Sequence, residues 1–171
     1  MRRHLIPLAN AVGVLVITLV QVALIVVLGR LRGAHFHTSL TRLPWFILAA
    51  ALLCLFAYGL AETLALRVGR QEAYGPLIPA IGVTPYFLSG ALYPLSILPT
   101  GLQQVAYLLP RTHAVALMRY GLMDGTPSGL TDIWHNGSEP LAATLSLVVL
   151  VVMAAGSLVL ATRVFARAVT N

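Results

Sequence analysis

Length, composition and charge together exclude several classes of protein. The chain has 171 residues, of which 58% are hydrophobic and only 9% are charged, and its mean hydropathy is +0.88. In an ordinary soluble domain about a quarter of the residues are charged, so this composition predicts an integral membrane protein. The net charge of +6 comes from scattered arginines that flank apolar runs. Because they form no basic stripe, nucleic-acid binding is not predicted.

Two apolar runs open the chain. The first is uncharged from Leu5 to Gly29 and the second from Leu43 to Ala61. Each is close to the roughly 20 residues that one transmembrane helix requires, so we predict two such helices. The connection between them, Arg30 to Arg42, contains His35 and His37. These two imidazoles have no third ligand in the loop, so no metal site is predicted.

The third apolar run is uncharged from Ala73 to Pro110, which is too long for one simple span. The prolines that interrupt it are Pro94, Pro99 and Pro110. We predict a third transmembrane helix that begins near Leu77 and ends between Leu92 and Pro94. Two short helices over Thr100 to Met123 are then expected to re-enter the membrane from one side without crossing it. Such backbone requires cover from neighbouring helices.

The third predicted helix contains several residues that weaken helical hydrogen bonding. They are Pro76, Pro79, Gly82 and Pro85. A proline inside a helix removes one hydrogen bond and displaces a carbonyl. We therefore predict a kinked helix whose freed carbonyls are met by neighbouring elements.

The rest of the chain comprises a polar segment and a last apolar run. Asp124 to Glu139 is rich in Gly, Ser, Thr and Asp, which predicts a loop. Pro140 to Thr162 is uncharged and is closed by Arg163 and Arg167, which predicts a final span. The fold class is therefore all-α: a polytopic membrane helix bundle of about four transmembrane helices, with a re-entrant pair between the third and fourth. Four spans place both termini on one side, and the arginine distribution favours the cytoplasm.

No motif for catalysis or cofactor binding is present. Without lysine the chain cannot form the loop Gly-x-x-x-x-Gly-Lys-Ser/Thr, and it contains no His-Glu-x-x-His. The spans hold no pair of carboxylates, and Ser89, Ser96 and Ser146 lack the Gly-x-Ser-x-Gly setting. His113 has no partner in sequence that would make it a general base, so a hydrogen-bonding role at the membrane interface is favoured. Cys54 is the single cysteine, which allows no intramolecular disulfide, and no cofactor is predicted.

The segment from Leu88 to Arg119 combines small residues, prolines and one arginine in a recognisable order. It reads LSGALYPLSILP at 88–99, LQ at 102–103 and LPRTHAVALMR at 109–119. This order resembles the C-terminal signature of ABC-2 type transporter permeases, the daunorubicin-resistance-like exporters among them. The matching positions are Ser89, Gly90, Pro94, Pro99, Pro110, Thr112 and Arg119. Arg111 stands where the family usually has an apolar residue, and Ala116 stands where an acidic residue is common.

The resemblance implies a helix that ends at the Ser-Gly pair, two short re-entrant helices on the extracytoplasmic side, and a last helix that returns to the cytoplasm. It implies the permease component of an ATP-driven exporter, which forms the substrate path in a bacterial cell membrane and contributes to drug resistance. The implied partners are a separate ABC ATPase subunit, a second permease subunit and the lipid bilayer.

The family has six spans, and this chain resembles the last four. Residues 1–171 are therefore expected to form an ABC-2 permease transmembrane domain that lacks the first two spans and the coupling segment. On that interpretation the chain alone neither binds ATP nor transports, and an ATPase partner associates only when a full-length or complementing permease half is present. Two alternatives remain open, a truncated structural membrane protein without a transport role and an intramembrane enzyme built from scattered polar residues. No substrate is predicted, because apolar helix surface carries no code for its cargo.

Overall fold

The computed structural model describes residues 5–36, 38–68, 71–123 and 127–168, and within these ranges all regular structure is helical. The helices are α1 Leu5–Leu31, α2 Leu43–Val68, α3 Gln71–Leu88, α4 Thr100–Leu108, α5 Pro110–Leu122, α6 Leu130–Trp134 and α7 Glu139–Ala168, with one 3₁₀ turn at Leu95–Ile97. The predicted all-α membrane helix bundle is confirmed. Predictions that concern residues 1–4, His37, Arg70, residues 124–126 and Asn171 lie outside the described ranges.

Three helices, α1, α2 and α7, are long and apolar enough to cross a membrane. At 1.5 Å per residue they extend about 40, 39 and 45 Å, more than the roughly 30 Å hydrocarbon core. The third predicted span is shorter. Its apolar part, Gly75–Leu88, extends about 21 Å.

The end of α3 differs from the prediction. The helix ends at Leu88 and not between Leu92 and Pro94, because Gly90 adopts the left-handed conformation with φ 73°. The sequence prediction took Pro94 as the stop, whereas a glycine ends the helix one turn earlier. Arg119 of α5 holds the end of α3, and its neighbour Tyr120 packs edge-on against Trp45, near the start of α2, with ring centroids 5.8 Å apart. In this geometry α3 returns the chain to the level at which α2 begins, as a further crossing requires.

Helices α2 and α7 pack closely, with Ala49 and Ala142 in one core cluster near their starts and Gly59 against Ser157 further along. The two helices therefore run in the same direction. A Cβ atom at Gly59 would lie 2.7 Å from the backbone carbonyl carbon of Ser157. No real Cβ atom tolerates that distance, so glycine is required at this crossing. Small residues at such contacts are how membrane helices gain packing contacts without a hydrophobic driving force.

The prediction of two short helices over Thr100 to Met123 is confirmed by α4 and α5, which meet at the extended residue Leu109. Near the end of α5, a Cβ at Gly121 would lie 2.7 Å from the backbone N of Phe46. The start of α5 faces Leu53 and Phe56, roughly 10–15 Å further along α2. The pair therefore extends about 10–15 Å along α2 and returns.

The polar segment after α5 is not entirely a loop, which corrects the prediction for residues 124–139. It contains the short helix α6, whose Leu130 and Ile133 are buried. Leu130, Ile133 and Trp134 have the spacing of one helix face, and burial of that face against α5 and α7 outweighs the local polar composition. The main core surrounds α5 and consists of Ala49, Ala114, Ala116, Leu117, Tyr120, Leu130, Ile133, Ala142, Ala143 and Leu150.

Candidate functional site

A cavity of about 360 Å³ with a mixed polar and apolar lining lies between the end of α3, one face of α5 and the start of α6. We call it the signature cavity, because five of the residues that carry the family resemblance line it. These are Ser89, Gly90, Pro94, Thr112 and Arg119. Pro99 and Pro110 are not among its lining residues. The structure thus brings the two halves of the sequence signature to one place.

Arg119 fastens α5 to the end of α3. Its Nη2 donates to the carbonyl oxygen of Gly90 at 2.6 Å and approaches that of Ala91 at 3.3 Å. Carbonyls just past a helix C-terminus lack helical partners and carry partial negative charge, so a guanidinium suits them. Gly90 is required for its left-handed φ, and a Cβ there would lie 3.0 Å from Cγ of Leu95.

Ser89 completes the end of α3. Its side chain is buried, and its Oγ donates to the carbonyl oxygen of Tyr86 at 2.7 Å. This hydroxyl satisfies one of the carbonyls that the last turn of a helix leaves without a partner. The geometry gives Ser89 a capping role and provides no support for a nucleophilic one.

The three signature prolines each begin a helical element. Pro94 precedes the 3₁₀ turn, Pro99 precedes α4, and Pro110 is the first residue of α5. A proline at the start of a helix sacrifices no hydrogen bond, because the first N–H groups have no helical partner, and its fixed φ already suits the helix. The spacing of these prolines therefore sets the lengths of the short elements.

Thr112 is buried with an unsatisfied hydroxyl. Among the described residues, its Oγ1 has no hydrogen-bond partner, although the residue is only 1% exposed. Leaving such a group unpaired costs about 1–3 kcal/mol. The signature cavity beside it is large enough for water, and a buried water usually makes 2–4 hydrogen bonds to polar groups. The Oγ1 atom itself is closed to solvent, however, so water in the cavity does not supply its partner in this conformation.

Two polar residues of the cavity were missed by the sequence analysis. Ser128 is buried, and its Oγ donates to Oε1 of Glu139 at 3.1 Å and accepts from the N–H of Leu130 at 3.3 Å. Asp132 lies in the first turn of α6 and also lines the cavity. The signal that would have located them is the helical spacing of the apolar residues in α6.

A hydrogen-bond chain behind the cavity links α4, α5, α6 and α7. The carbonyl of Tyr107 can only accept, so Nε2 of His113 carries the proton and donates to it at 3.0 Å. Nδ1 then accepts from Oγ of Ser146 at 3.1 Å, and Nε1 of Trp134 donates to that Oγ at 2.7 Å. This arrangement describes the neutral imidazole, because Nδ1 of the charged form would instead donate to Ser146. It confirms the hydrogen-bonding role expected for His113.

The arrangement is suited to holding helices and small polar molecules in place. Among the described residues, no group of three His, Cys, Asp or Glu side chains is placed to hold a metal ion. The charged residues of the signature cavity are Arg119 and Asp132, and the guanidinium already serves backbone carbonyls.

Three long apolar helices and several shorter ones define a multi-pass membrane protein. The sequence model of the family described as ABC-2 type transporter matches residues 1–123. The chain therefore belongs to the ABC-2 type transporter family, whose members are transport permeases and not themselves ATPases. The match covers α1 to α5 and so includes every signature residue. The chain matches no curated protein and no solved structure.

Proposed function

We propose that this chain is the membrane component of an ATP-driven exporter and forms part of the substrate path, while a separate ABC ATPase hydrolyses ATP. The observation that supports it most is the contact of Arg119 with Gly90, which joins the two ends of the family signature in one cavity. ABC-2 permeases generally work with an ABC ATPase and as dimers. An ATPase subunit and a second permease subunit are thus the proposed partners, and residues 1–171 form the transmembrane domain.

One end of the bundle is the proposed contact surface for the ATPase. Because α2 and α7 are parallel, their C-terminal ends lie together, and they carry the exposed residues Arg67 and Arg163. Positive charge concentrates on the cytoplasmic side of membrane proteins, so we assign this end and both termini to the cytoplasm of a cell membrane.

Co-expression with an ABC ATPase and a full-length ABC-2 permease of the same organism, with purification through a tag on this chain, tests the proposal. We expect this chain and the ATPase to co-elute in a fixed ratio from the membrane fraction, with ATP hydrolysis that is lost when the catalytic carboxylate of the ATPase is substituted. Replacing both Arg67 and Arg163 by Glu is expected to lower co-elution several-fold, because it reverses charge at the proposed contact. Arg30→Glu, at the opposite end of the bundle, is the matched control and is expected to leave co-elution unchanged.

A wild-type chain that is folded and monodisperse but elutes without any ATPase would contradict the proposal. That result would favour a structural membrane protein without a transport role. Equal losses from the Arg30 variant and from the double variant would instead show that the contact surface is assigned to the wrong end.

A further inference from the structure

An apolar groove of about 490 Å³ lies between α2, α3 and the junction of α4 with α5. We call it the junction groove. One face of α2 from Leu53 to Leu64 lines it, together with Ile81, Gly82 and Pro85 of α3 and Leu109, Pro110 and Arg111 at the junction. It shares no lining residue with the signature cavity. Its volume falls within the roughly 300–1,000 Å³ of sites that bind small molecules.

Among the described residues that line the junction groove, Arg111 is the one that carries a charge. Its Nη1 donates to the carbonyl oxygen of Gly82 at 2.7 Å, and its guanidinium carbon lies 5.9 Å from the ring centroid of Tyr86. A guanidinium has five N–H donors, and among the described residues only this one carbonyl accepts from it. Arg111 is also the second residue of α5, where the helix dipole disfavours a cation.

The depth of Arg111 matters as much as its charge. The groove runs from Leu53 to Leu64 on α2, about 16 Å, which is close to half of the hydrocarbon core. Arg111 follows the junction at the inner end of the re-entrant pair. With the re-entrant placement predicted for α4 and α5, a charge at that depth lies below the level of phospholipid head groups, and such residues mark substrate or ion paths.

The lining of the junction groove favours one class of occupant. A single apolar chain suits a groove whose lining is apolar except for one guanidinium. A phosphate or carboxylate at one end of that chain would supply a negatively charged partner for Arg111, through paired N–H···O bonds.

We infer that the junction groove binds an amphiphile with one apolar chain and a phosphate or carboxylate head, with the chain along α2 and the head at Arg111. The inference that this amphiphile is the transported cargo rests on the proposed function. Binding of the amphiphile requires no ATPase, so a failure of the binding inference is distinguishable from a failure of the proposed function.

Three probes with the same tail and different heads test the inference: decyl phosphate, decyltrimethylammonium and decyl maltoside. Binding to the full chain in zwitterionic nanodiscs is measured by titration calorimetry, with empty nanodiscs as the blank for partitioning. We expect decyl phosphate to bind at least about tenfold more tightly than the other two, a preference that Arg111→Gln removes while keeping a donor for Gly82. Ala57→Trp fills the groove and is expected to weaken all three probes.

The matched control is Arg163→Gln, which removes an exposed arginine outside the groove and is expected to leave all three affinities unchanged. Equal affinities of the wild-type chain for the three heads would overturn the inference. It would also fall if Arg163→Gln lowered binding of decyl phosphate as much as Arg111→Gln, because the preference would then come from overall charge. A change of oligomeric state in Ala57→Trp with unaltered probe binding would assign the groove to another helix.

Discussion

Helices α1 and α5 show opposite relations between composition and burial. α1 carries no charge before Arg30, yet Pro7 and Ala11 are its only buried residues over 6–31. α5 contains two arginines and a histidine, yet eight of its thirteen residues are buried. In a bilayer, apolar side chains gain nothing by leaving lipid, so packing density and satisfied polar groups decide which helix occupies the centre. In this chain, hydrophobicity therefore indicates which helices span the membrane, and small and polar residues indicate which helix lies at the centre of the bundle.

The largest expected difference in stability between α5 and α1 comes from replacing one glycine in each helix by alanine. Gly121→Ala in α5 places a Cβ 2.7 Å from the backbone of Phe46, so the helices must separate. We expect the free energy of unfolding in mixed micelles to fall by about 1–3 kcal/mol. Gly13→Ala in α1 meets nothing within 4 Å and is expected to leave stability unchanged or to raise it slightly. Equal losses from the two variants would show that α5 is not the tightly packed element.

The sequence predicted the helices better than it predicted their contacts. Uncharged runs delimit α1, α2 and α7, and the prolines delimit α4 and α5, because both signals act within one segment. The early stop of α3 depends on the φ of Gly90, and an isolated glycine in an apolar run does not reveal its conformation. The signature cavity depends on which helices come together although they are separated in sequence. Thr112 of α5 and Asp132 of α6 both line it. The resemblance identified five of the cavity's fifteen described lining residues without indicating that Asp132 would join them.

A second expected effect concerns the polar network. His113→Leu removes the acceptor of the Ser146 hydroxyl and the donor to the Tyr107 carbonyl, which leaves buried groups unpaired. We expect a loss of about 1–3 kcal/mol in the free energy of unfolding. The matched change in α1 is Gln21→Leu at an exposed position, where the expected change is within about 0.5 kcal/mol. If the α1 variant were the more destabilised of the two, polar satisfaction would not be what holds α5 in the core.

The smallest expected change in stability has opposite signs in α5 and α1. Thr112→Val removes a buried hydroxyl that has no described partner, so stability is expected to rise by up to about 1 kcal/mol. Thr18→Val in α1 removes the acceptor of a 3.3 Å contact with Sγ of Cys54, so a loss below about 0.5 kcal/mol is expected. Thermal unfolding of both variants measures the difference. A loss of 1 kcal/mol or more for Thr112→Val would mean that a bound polar molecule satisfies the hydroxyl.

The central claim is that α4 and α5 enter the membrane and return to the side on which the connection between α1 and α2 lies. Single cysteines at Ser39, Thr100, Met123 and Arg163, in a Cys54→Ala background, test it with a membrane-impermeant thiol reagent on intact cells. These four positions are exposed or partly exposed, whereas His113 is too deeply buried to report. We expect labelling at Ser39, Thr100 and Met123 and none at Arg163 until the membrane is opened. Labelling of Thr100 and Met123 from opposite sides would contradict the account, because the pair would then cross the membrane.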